Sequence, residues 1–134
     1  MTALAGELLR YGIVGAAGFV VDAGLLSLLL GATALGPYLG RVVSFLAAGT
    51  LTWWLHRRFT FPAARRDRRS RQWARFLAVN GGGALLNYGI YAALVAGVPW
   101  FGRTPVAAVA IASAVALAVN FTANRFVVFR DAGR

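Results

Sequence analysis

Four long apolar segments, separated by short polar or charged stretches, make up most of this chain. They run over about residues 8–30, 38–55, 73–95 and 104–128. A helix crosses the hydrocarbon core of a bilayer, ~30 Å thick, in about 20 residues. Since lipid offers the backbone no hydrogen-bond partner, and since these runs do not alternate as barrel strands do, we expect helices. The sequence therefore predicts an all-α fold, an integral membrane four-helix bundle in which residues 1–134 form a single transmembrane domain.

Composition supports a membrane protein over a soluble one. Hydrophobic residues make up 59% of the chain and charged residues 13%, whereas a soluble domain carries about 25% charged residues. The net charge of +10, with 14 arginines and no lysine, would suggest nucleic-acid binding in a soluble protein. Here the arginines lie at the ends of apolar segments, and a dissolved protein could not hide so much apolar surface. We therefore expect no nucleic-acid partner.

The distribution of arginine predicts the orientation of the spans. Twelve of the 14 arginines fall on one face of the membrane, at the two chain ends and in the loop between the second and third segments. Only Arg41 and Arg103 fall on the other face. The positive-inside rule then places both termini and the central loop in the cytoplasm, which makes the chain a multi-pass protein of the cytoplasmic membrane. We interpret the first segment as a span rather than a signal peptide, because it exceeds an h-region of about 7–15 residues and contains Asp22.

Aromatic residues cluster at the ends of the predicted spans. We interpret them as interfacial anchors, as is usual for Trp and Tyr in membrane proteins. The cytoplasmic set is Tyr11, Trp53, Trp54, Phe59, Phe61, Trp73, Phe76 and Phe129. The outer set is Tyr38, Trp100 and Phe101.

The chain contains an internal repeat of residues 10–61 and 75–129. At a register of 65 residues Asp22 matches Asn87, and at a register of 68 the second and fourth segments match. Each half is an in-out-in hairpin, so both halves enter the membrane with the same orientation, and a pseudo-two-fold axis would lie along the membrane normal. The bundle is therefore predicted to consist of two parallel two-helix repeats, with a site at its centre or in a groove between the halves.

Polar residues inside the predicted spans are the first candidates for a site. Asp22 is the only acid in a span, and a charge near the bilayer centre costs about 2.5–3.5 kcal/mol, so it needs a partner, water or protonation. Arg10 lies too many turns away to pair with it directly. Asp22 and its repeat mate Asn87 are therefore expected to be functional. Asn120 and Asn124 lie on one face of the fourth span and are further candidate substrate-binding residues.

Small and uncharged polar residues leave two interpretations open. They could line a site, or they could simply let helices pack closely, as such residues commonly do in lipid. This set is Gly15, Gly18, Gly83, Ser44 and Thr52. His56, at the inner end of the second span, is interpreted as solvated at the interface.

Arg57 and Arg125 end the second and fourth spans at matching positions. Two guanidinium groups placed in this way could form a cationic rim that binds a phosphate bidentately. The alternative is that both arginines only set the topology and snorkel to the interface. The basic run over residues 65–71 is interpreted as a solvated or interfacial segment that holds anionic lipid.

Signatures of enzymes are absent from the sequence. It has no pair of carboxylates within a span, no nucleophile elbow, no Walker loop and no histidine pair. It has no cysteine, which excludes disulfides, thiol catalysis and zinc-thiolate sites. With one histidine and four acids in all, we expect neither an enzyme nor a cofactor.

The order and spacing of four motifs are together fairly specific. The motifs are Arg10-Tyr11-x-Ile13-Val14-Gly15 with Gly18 and Asp22, Thr52-x-x-x-His56-Arg57-x-Phe59-Thr60-Phe61, Arg75-Phe76 with Asn87, and Asn120-Phe121-x-x-Asn124-Arg125-x-x-Val128-Phe129. With them the chain resembles the GtrA-like family of small four-span bacterial membrane proteins over nearly its whole length. One departure is His56, where the family often has Asn. The resemblance implies a part in cell-envelope polysaccharide assembly, in which members move, or help to move, polyprenyl-phosphate-linked sugars from the inner to the outer leaflet.

Three hypotheses on function follow from the residues and the resemblance. The first is a flippase, in which the arginine rim holds the phosphate, the small-polar stripe lets the sugar pass and the tail stays in lipid; four helices are few for an enclosed path, so we expect a parallel homodimer. The second is a non-transporting scaffold that recruits or stabilises a polyprenyl-phosphate glycosyltransferase, because similar domains occur fused to such enzymes. The third, a proton-coupled exporter with Asp22 as proton carrier, ranks last because Asn87 shows that the repeat tolerates an amide there.

Overall fold

Helices form almost the whole of the computed structural model, which describes residues 2–130. The helices are α1 (Ala3–Ala32), α2 (Pro37–Leu55), α3 (Arg69–Gly97), the short α4 (Pro99–Arg103) and α5 (Pro105–Ala123). A 3-10 turn, Pro62–Arg66, lies between α2 and α3. No strand occurs over residues 2–130. The prediction of an all-α helical bundle is therefore confirmed, although Arg134 lies outside the described residues.

Capping residues and prolines set the helix boundaries. The Thr2 side chain accepts a hydrogen bond from the Ala5 N–H at 3.1 Å, which satisfies one of the free donors in the first turn of α1. Pro37, Pro99 and Pro105 open α2, α4 and α5, where the missing proline N–H costs no helical hydrogen bond. Helix α1 begins five residues before the predicted span and α3 four residues before it, because the polar flanks of both spans continue the helix.

Helices α2 and α5 do not stop at their last regular turn but continue into π-helical segments. These segments are His56–Thr60 and Asn124–Val128, and they are related by the 68-residue register. Each is closed by the following phenylalanine, whose N–H donates to the carbonyl of His56 at 2.7 Å or of Asn124 at 2.8 Å. The wider turn carries Phe61 and Phe129 into the protein interior, where both are fully buried. π-Helical turns are rare and are frequently found at functional sites.

Two hairpins, α1 with α2 and α3 with α5, form the bundle. An aromatic core joins them at the end of the bundle where α1 and α3 begin and the π-helical segments end; we call it the basic end. At its centre Phe61 stacks on Phe129 with ring centroids 4.9 Å apart. Tyr11, Phe76 and Phe121 complete this core.

The aromatic core corrects one interpretation of the sequence. Tyr11, Phe61, Phe76 and Phe129 are buried between the hairpins, so the prediction that they are interfacial anchors is wrong. Phenylalanines in a span end and in a core give the same local pattern, because the partner that buries them belongs to the other hairpin.

The outer surface of the bundle is apolar. Phe19 and Val106 are 73% and 78% exposed, and a surface of this kind is suited to lipid rather than to water. Within residues 2–130, Ala3–Ala32 and Pro105–Val128 are long and apolar enough to cross a membrane by length and composition. In α2 and α3 polar residues such as Arg41 and Asn80 interrupt the apolar run, and their assignment as spans stays a prediction.

Glycines bring the helices of each hairpin into close contact. A side chain on Gly18 would collide with the Thr52 methyl group, and one on Gly83 would collide with the Asn120 amide. These two contacts are related by the repeat registers, since 18 and 83 differ by 65 and 52 and 120 by 68. Small residues let helix backbones approach in lipid, where tight packing drives association.

We therefore predict that Gly83→Val lowers the free energy of unfolding by about 1–3 kcal/mol, the usual cost of overpacking. The measurement is thermal unfolding of the purified protein in detergent. Gly82→Val is the matched control, because nothing lies within 4 Å of a side chain added at Gly82. Equal melting temperatures for the two variants would contradict the close packing of α3 on α5.

Candidate functional site

A cleft of about 380 Å³ lies between the two hairpins. Four aromatic side chains and several small residues form much of its wall: Tyr11, Phe19, Phe45, Phe76, Gly15, Gly18, Ala48 and Gly49. Its polar lining consists of Asp22, Thr52, His56, Asn80, Asn87 and Asn120. Because the lining includes the strongly exposed Phe19, the cleft reaches the apolar outer surface of the bundle.

Asp22 lies in this cleft and forms an ion pair with Arg41. The other carboxylate oxygen, Oδ1, is buried and accepts no hydrogen bond from the described residues. Helices α1 and α2 are antiparallel, so position 22, about ten residues before the turn, lies beside position 41, about as far after it. The sequence left the counter-ion of Asp22 open, and counting back from the Gly36-Pro37 turn would have identified it.

Two of the three candidate asparagines share the cleft with Asp22. The Asn87 side chain donates to Ser113 Oγ at 3.5 Å, a long hydrogen bond between α3 and α5. Asn120 packs against Gly83, and its amide oxygen is buried with no donor among residues 2–130. The structure thus brings Asp22, Asn87 and Asn120 together, as expected from their common placement on the inner faces of the helices.

Asn124 lies outside the cleft lining and joins the two hairpins. It is completely buried, and its Nδ2 donates to the Tyr11 hydroxyl at 2.7 Å. Tyr11 in turn stacks on His56, with ring centroids 4.5 Å apart. The structure therefore gives Asn124 a packing role at the base of the cleft.

His56 is part of the same buried cluster. Its ring is 2% exposed and hydrogen-bonds through Nδ1 to Thr60 Oγ1 at 3.0 Å. The interpretation of His56 as solvated at the interface is therefore wrong. The π-helical segment turns the ring inward, and nothing in the local sequence indicates that turn.

Arg57 and Arg125 link the end of one hairpin to the start of the other. Arg57 donates to Gln72 Oε1 at 2.7 Å and to the Asp67 carbonyl at 3.2 Å. Arg125 forms an ion pair with Glu7. Glu7 and Gln72 are themselves related by the 65-residue register, so the two links are equivalent in place and different in charge.

Neither arginine lines the central cleft. Both lie at the basic end, where their guanidinium groups pack against the first turns of α1 and α3. The sequence analysis did not single out Glu7 and Gln72 as partners. Their common offset of 65 residues, just before the repeat begins at Arg10, was the available signal.

We predict that Glu7→Leu lowers the free energy of unfolding by about 1–3 kcal/mol, because the half-buried Arg125 loses its charged partner. Glu7→Gln is the matched control: it reproduces the neutral partner that Arg57 has in Gln72, and the variant is expected to unfold close to the wild type. The measurement is again thermal unfolding in detergent. A larger loss for Glu7→Gln than for Glu7→Leu would contradict the link.

The cleft residues provide hydrogen-bonding groups rather than a metal site. Within residues 2–130 no group of three or more His, Asp or Glu side chains is placed to hold a metal ion. The cleft instead offers a carboxylate, amides and a hydroxyl beside aromatic rings, a combination that suits a polar, uncharged group such as a sugar.

Comparison with known proteins identifies the family. No curated protein matches the chain. A family model described as "GtrA/DPMS, transmembrane domain" matches residues 10–129, which include all six candidate site residues and most of the chain. The resemblance seen in the sequence is thereby confirmed. The chain is a membrane protein with an all-α helical bundle, and it belongs to the GtrA/DPMS transmembrane-domain family.

Proposed function

We propose that this protein moves polyprenyl-phosphate-linked sugars across the cytoplasmic membrane of a bacterium. Membership of the GtrA/DPMS family suggests involvement in the handling of polyprenyl-phosphate sugars. The observation that carries the finer proposal is the polar cleft between two hairpins whose outer surface is apolar. A site of this kind can shield a sugar from lipid while the rest of the substrate remains in lipid.

The sugar would lie in the cleft between the hairpins. Its hydroxyl groups would donate to the Asp22 carboxylate and to the side-chain oxygens of Asn87 and Asn120 and would accept from their amides. Because the cleft is open at Phe19 to the apolar surface, the polyprenyl tail would remain in the bilayer. Polar intramembrane residues mark substrate pathways in many membrane proteins.

The phosphate would begin its path at the basic end. The positive-inside rule favours a cytoplasmic location for this end and for both termini. Guanidinium groups are suited to phosphate oxygens, and Arg57 and Arg125 lie there at repeat-related positions. Each would contribute positive charge while it holds its protein partner. The parallel homodimer, which would widen the path, is part of the same proposal.

The test is direct transport in proteoliposomes. A labelled polyprenyl-phosphate sugar is placed in one leaflet, and its appearance in the other is followed with a membrane-impermeant reagent that reacts with the sugar. We expect transport clearly faster than in protein-free vesicles. Transport at the protein-free rate would contradict the proposal, and unchanged transport in both Arg57→Ala and Arg125→Ala would remove these arginines from the mechanism.

The second candidate is a non-transporting scaffold for a membrane glycosyltransferase. Its supporting observation is the row of exposed arginines at the start of α3 and just before it, Arg68, Arg69 and Arg71, which could serve as a docking surface. Co-purification of such an enzyme without transport by the purified protein would favour this role. Replacing the three arginines by glutamine should then disrupt the complex.

A further inference from the structure

A second pocket lies at the basic end, outside the central cleft. It has a volume of about 290 Å³ and is lined by Trp53, Trp54, Arg57, Arg58 and Arg69. Helix α2 provides the two tryptophans, the π-helical segment provides Arg57 and Arg58, and the first residue of α3 is Arg69. The pocket thus lies where the second predicted span ends and just before the third begins, at the level expected for lipid headgroups.

The side chains of this pocket are held in a defined arrangement. The Arg57 guanidinium carbon lies 5.8 Å from the centre of the Trp53 ring, and that of Arg58 lies 5.7 Å from the centre of the Trp54 ring. Gln72 accepts hydrogen bonds from both Trp53 Nε1 and Arg57. Stacking on indole rings and this shared partner restrict the guanidinium groups, so less conformational entropy is lost when they bind a ligand.

The charge of the pocket selects its ligand. Three of the five lining residues are arginines and none is an acid. Guanidinium groups form bidentate hydrogen bonds with phosphate oxygens, and the tryptophan rings offer an apolar wall beside them. The volume is near the lower limit of about 300–1,000 Å³ for small-molecule sites, which suits a headgroup rather than a whole lipid-linked sugar.

The pocket and the central cleft lie on different faces of α2. Thr52 and His56 face the cleft, while Trp53 and Arg57, one residue further along in each case, face the pocket. One group cannot occupy both sites. The pocket is therefore a separate binding site on the surface of the bundle.

We propose that this pocket binds the phosphate ester of a lipid headgroup and serves as the docking site from which a polyprenyl-phosphate sugar enters the cleft. The inference rests on the proposed function for the identity of the lipid. The phosphate chemistry itself follows from the three arginines. No other part of the described surface combines a cavity, positive charge and aromatic rings in this way.

Binding of farnesyl phosphate to the purified full-length protein in detergent tests this inference, with farnesol as the uncharged analogue. The readout is titration calorimetry. We expect farnesyl phosphate to bind and farnesol not to bind. Arg58→Gln and Arg69→Gln should each weaken binding by about tenfold, the usual effect of losing one charge-assisted hydrogen bond. Both arginines are exposed, so these variants should fold.

The control variant is Arg71→Gln, which removes an exposed arginine of the same region that does not line the pocket. An equal loss of affinity in this control, or equal binding of farnesol, would overturn the inference. Inorganic phosphate serves as competitor: displacement only at far higher concentration supports a lipid ligand, and displacement at equal concentration contradicts it. Since the assay needs no transport, binding without transport would contradict only the proposed function, and transport without phosphate binding only the docking site.

Discussion

Phe129→Ala is expected to lower the free energy of unfolding by about 3 kcal/mol or more, as truncation of a buried aromatic residue usually does. Phe129 is fully buried and stacks on Phe61, and it also contacts His56 and Phe76. The two hairpins meet around this ring, so its loss leaves a cavity in the contact between them. The measurement is unfolding of the purified protein in mixed micelles at increasing denaturing detergent.

The matched control for this variant is Phe126→Ala in the same π-helical segment. Phe126 is 62% exposed, so its truncation removes little packing and is expected to change stability by a few tenths of a kcal/mol, as is typical of surface positions. If Phe129 were an interfacial anchor, as the sequence alone suggests, the two variants would unfold alike. That result would contradict the aromatic core.

Gly15→Leu is expected to reduce transport to the rate of protein-free vesicles. Gly15 lines the cleft, and nothing lies within 4 Å of a side chain added there. A leucine would therefore project into open space and occupy the path of the sugar without displacing a neighbour. The measurement is the proteoliposome transport assay at equal amounts of reconstituted protein.

Gly24→Leu separates obstruction of the cleft from a general effect of leucine in α1. Gly24 also has open space around it, but it does not line the cleft. This variant is expected to transport at the wild-type rate. Full activity in Gly15→Leu, with unchanged unfolding, would show that the sugar does not pass through the cleft.

The secondary structure was predictable because it depends on local patterns. Apolar runs of span length, together with breakers at Pro37 and Pro99, predict the long helices, and the observed ends differ from the predicted ones by a few residues. The repeat registers also anticipate which positions are alike. The equivalent contacts of Gly18 with Thr52 and of Gly83 with Asn120 follow those registers.

Part of the candidate site was predictable for the same reason. Asp22, Asn87 and Asn120 are costly in lipid, and their helical spacing places them on inward faces. The structure does bring these three together in the cleft. The predicted role of Arg57 and Arg125 at the rim of this path remains a proposal, since neither lines the cleft itself.

The remainder depends on contacts between the hairpins, which no local pattern specifies. The burial of Tyr11 and His56, the link from Asn124 to Tyr11, and the pairing of Arg125 with Glu7 all join residues far apart in sequence. The π-helical segments that create these contacts have no known local sequence signal. An arginine at a helix end reads as a topology signal whether it faces lipid headgroups or a partner on another helix.

Mapping of the bound substrate tests the central claim, that the sugar occupies the cleft between the two hairpins, most directly. A polyprenyl-phosphate sugar with a photoreactive group on the sugar is incubated with the reconstituted protein, irradiated and located by peptide mass spectrometry. We predict labelling of peptides that contain Phe19, Asp22, Asn87 or Asn120, and loss of that labelling in Gly15→Leu. Labelling confined to the outward faces of α1 and α5, unchanged in Gly15→Leu, would contradict the claim.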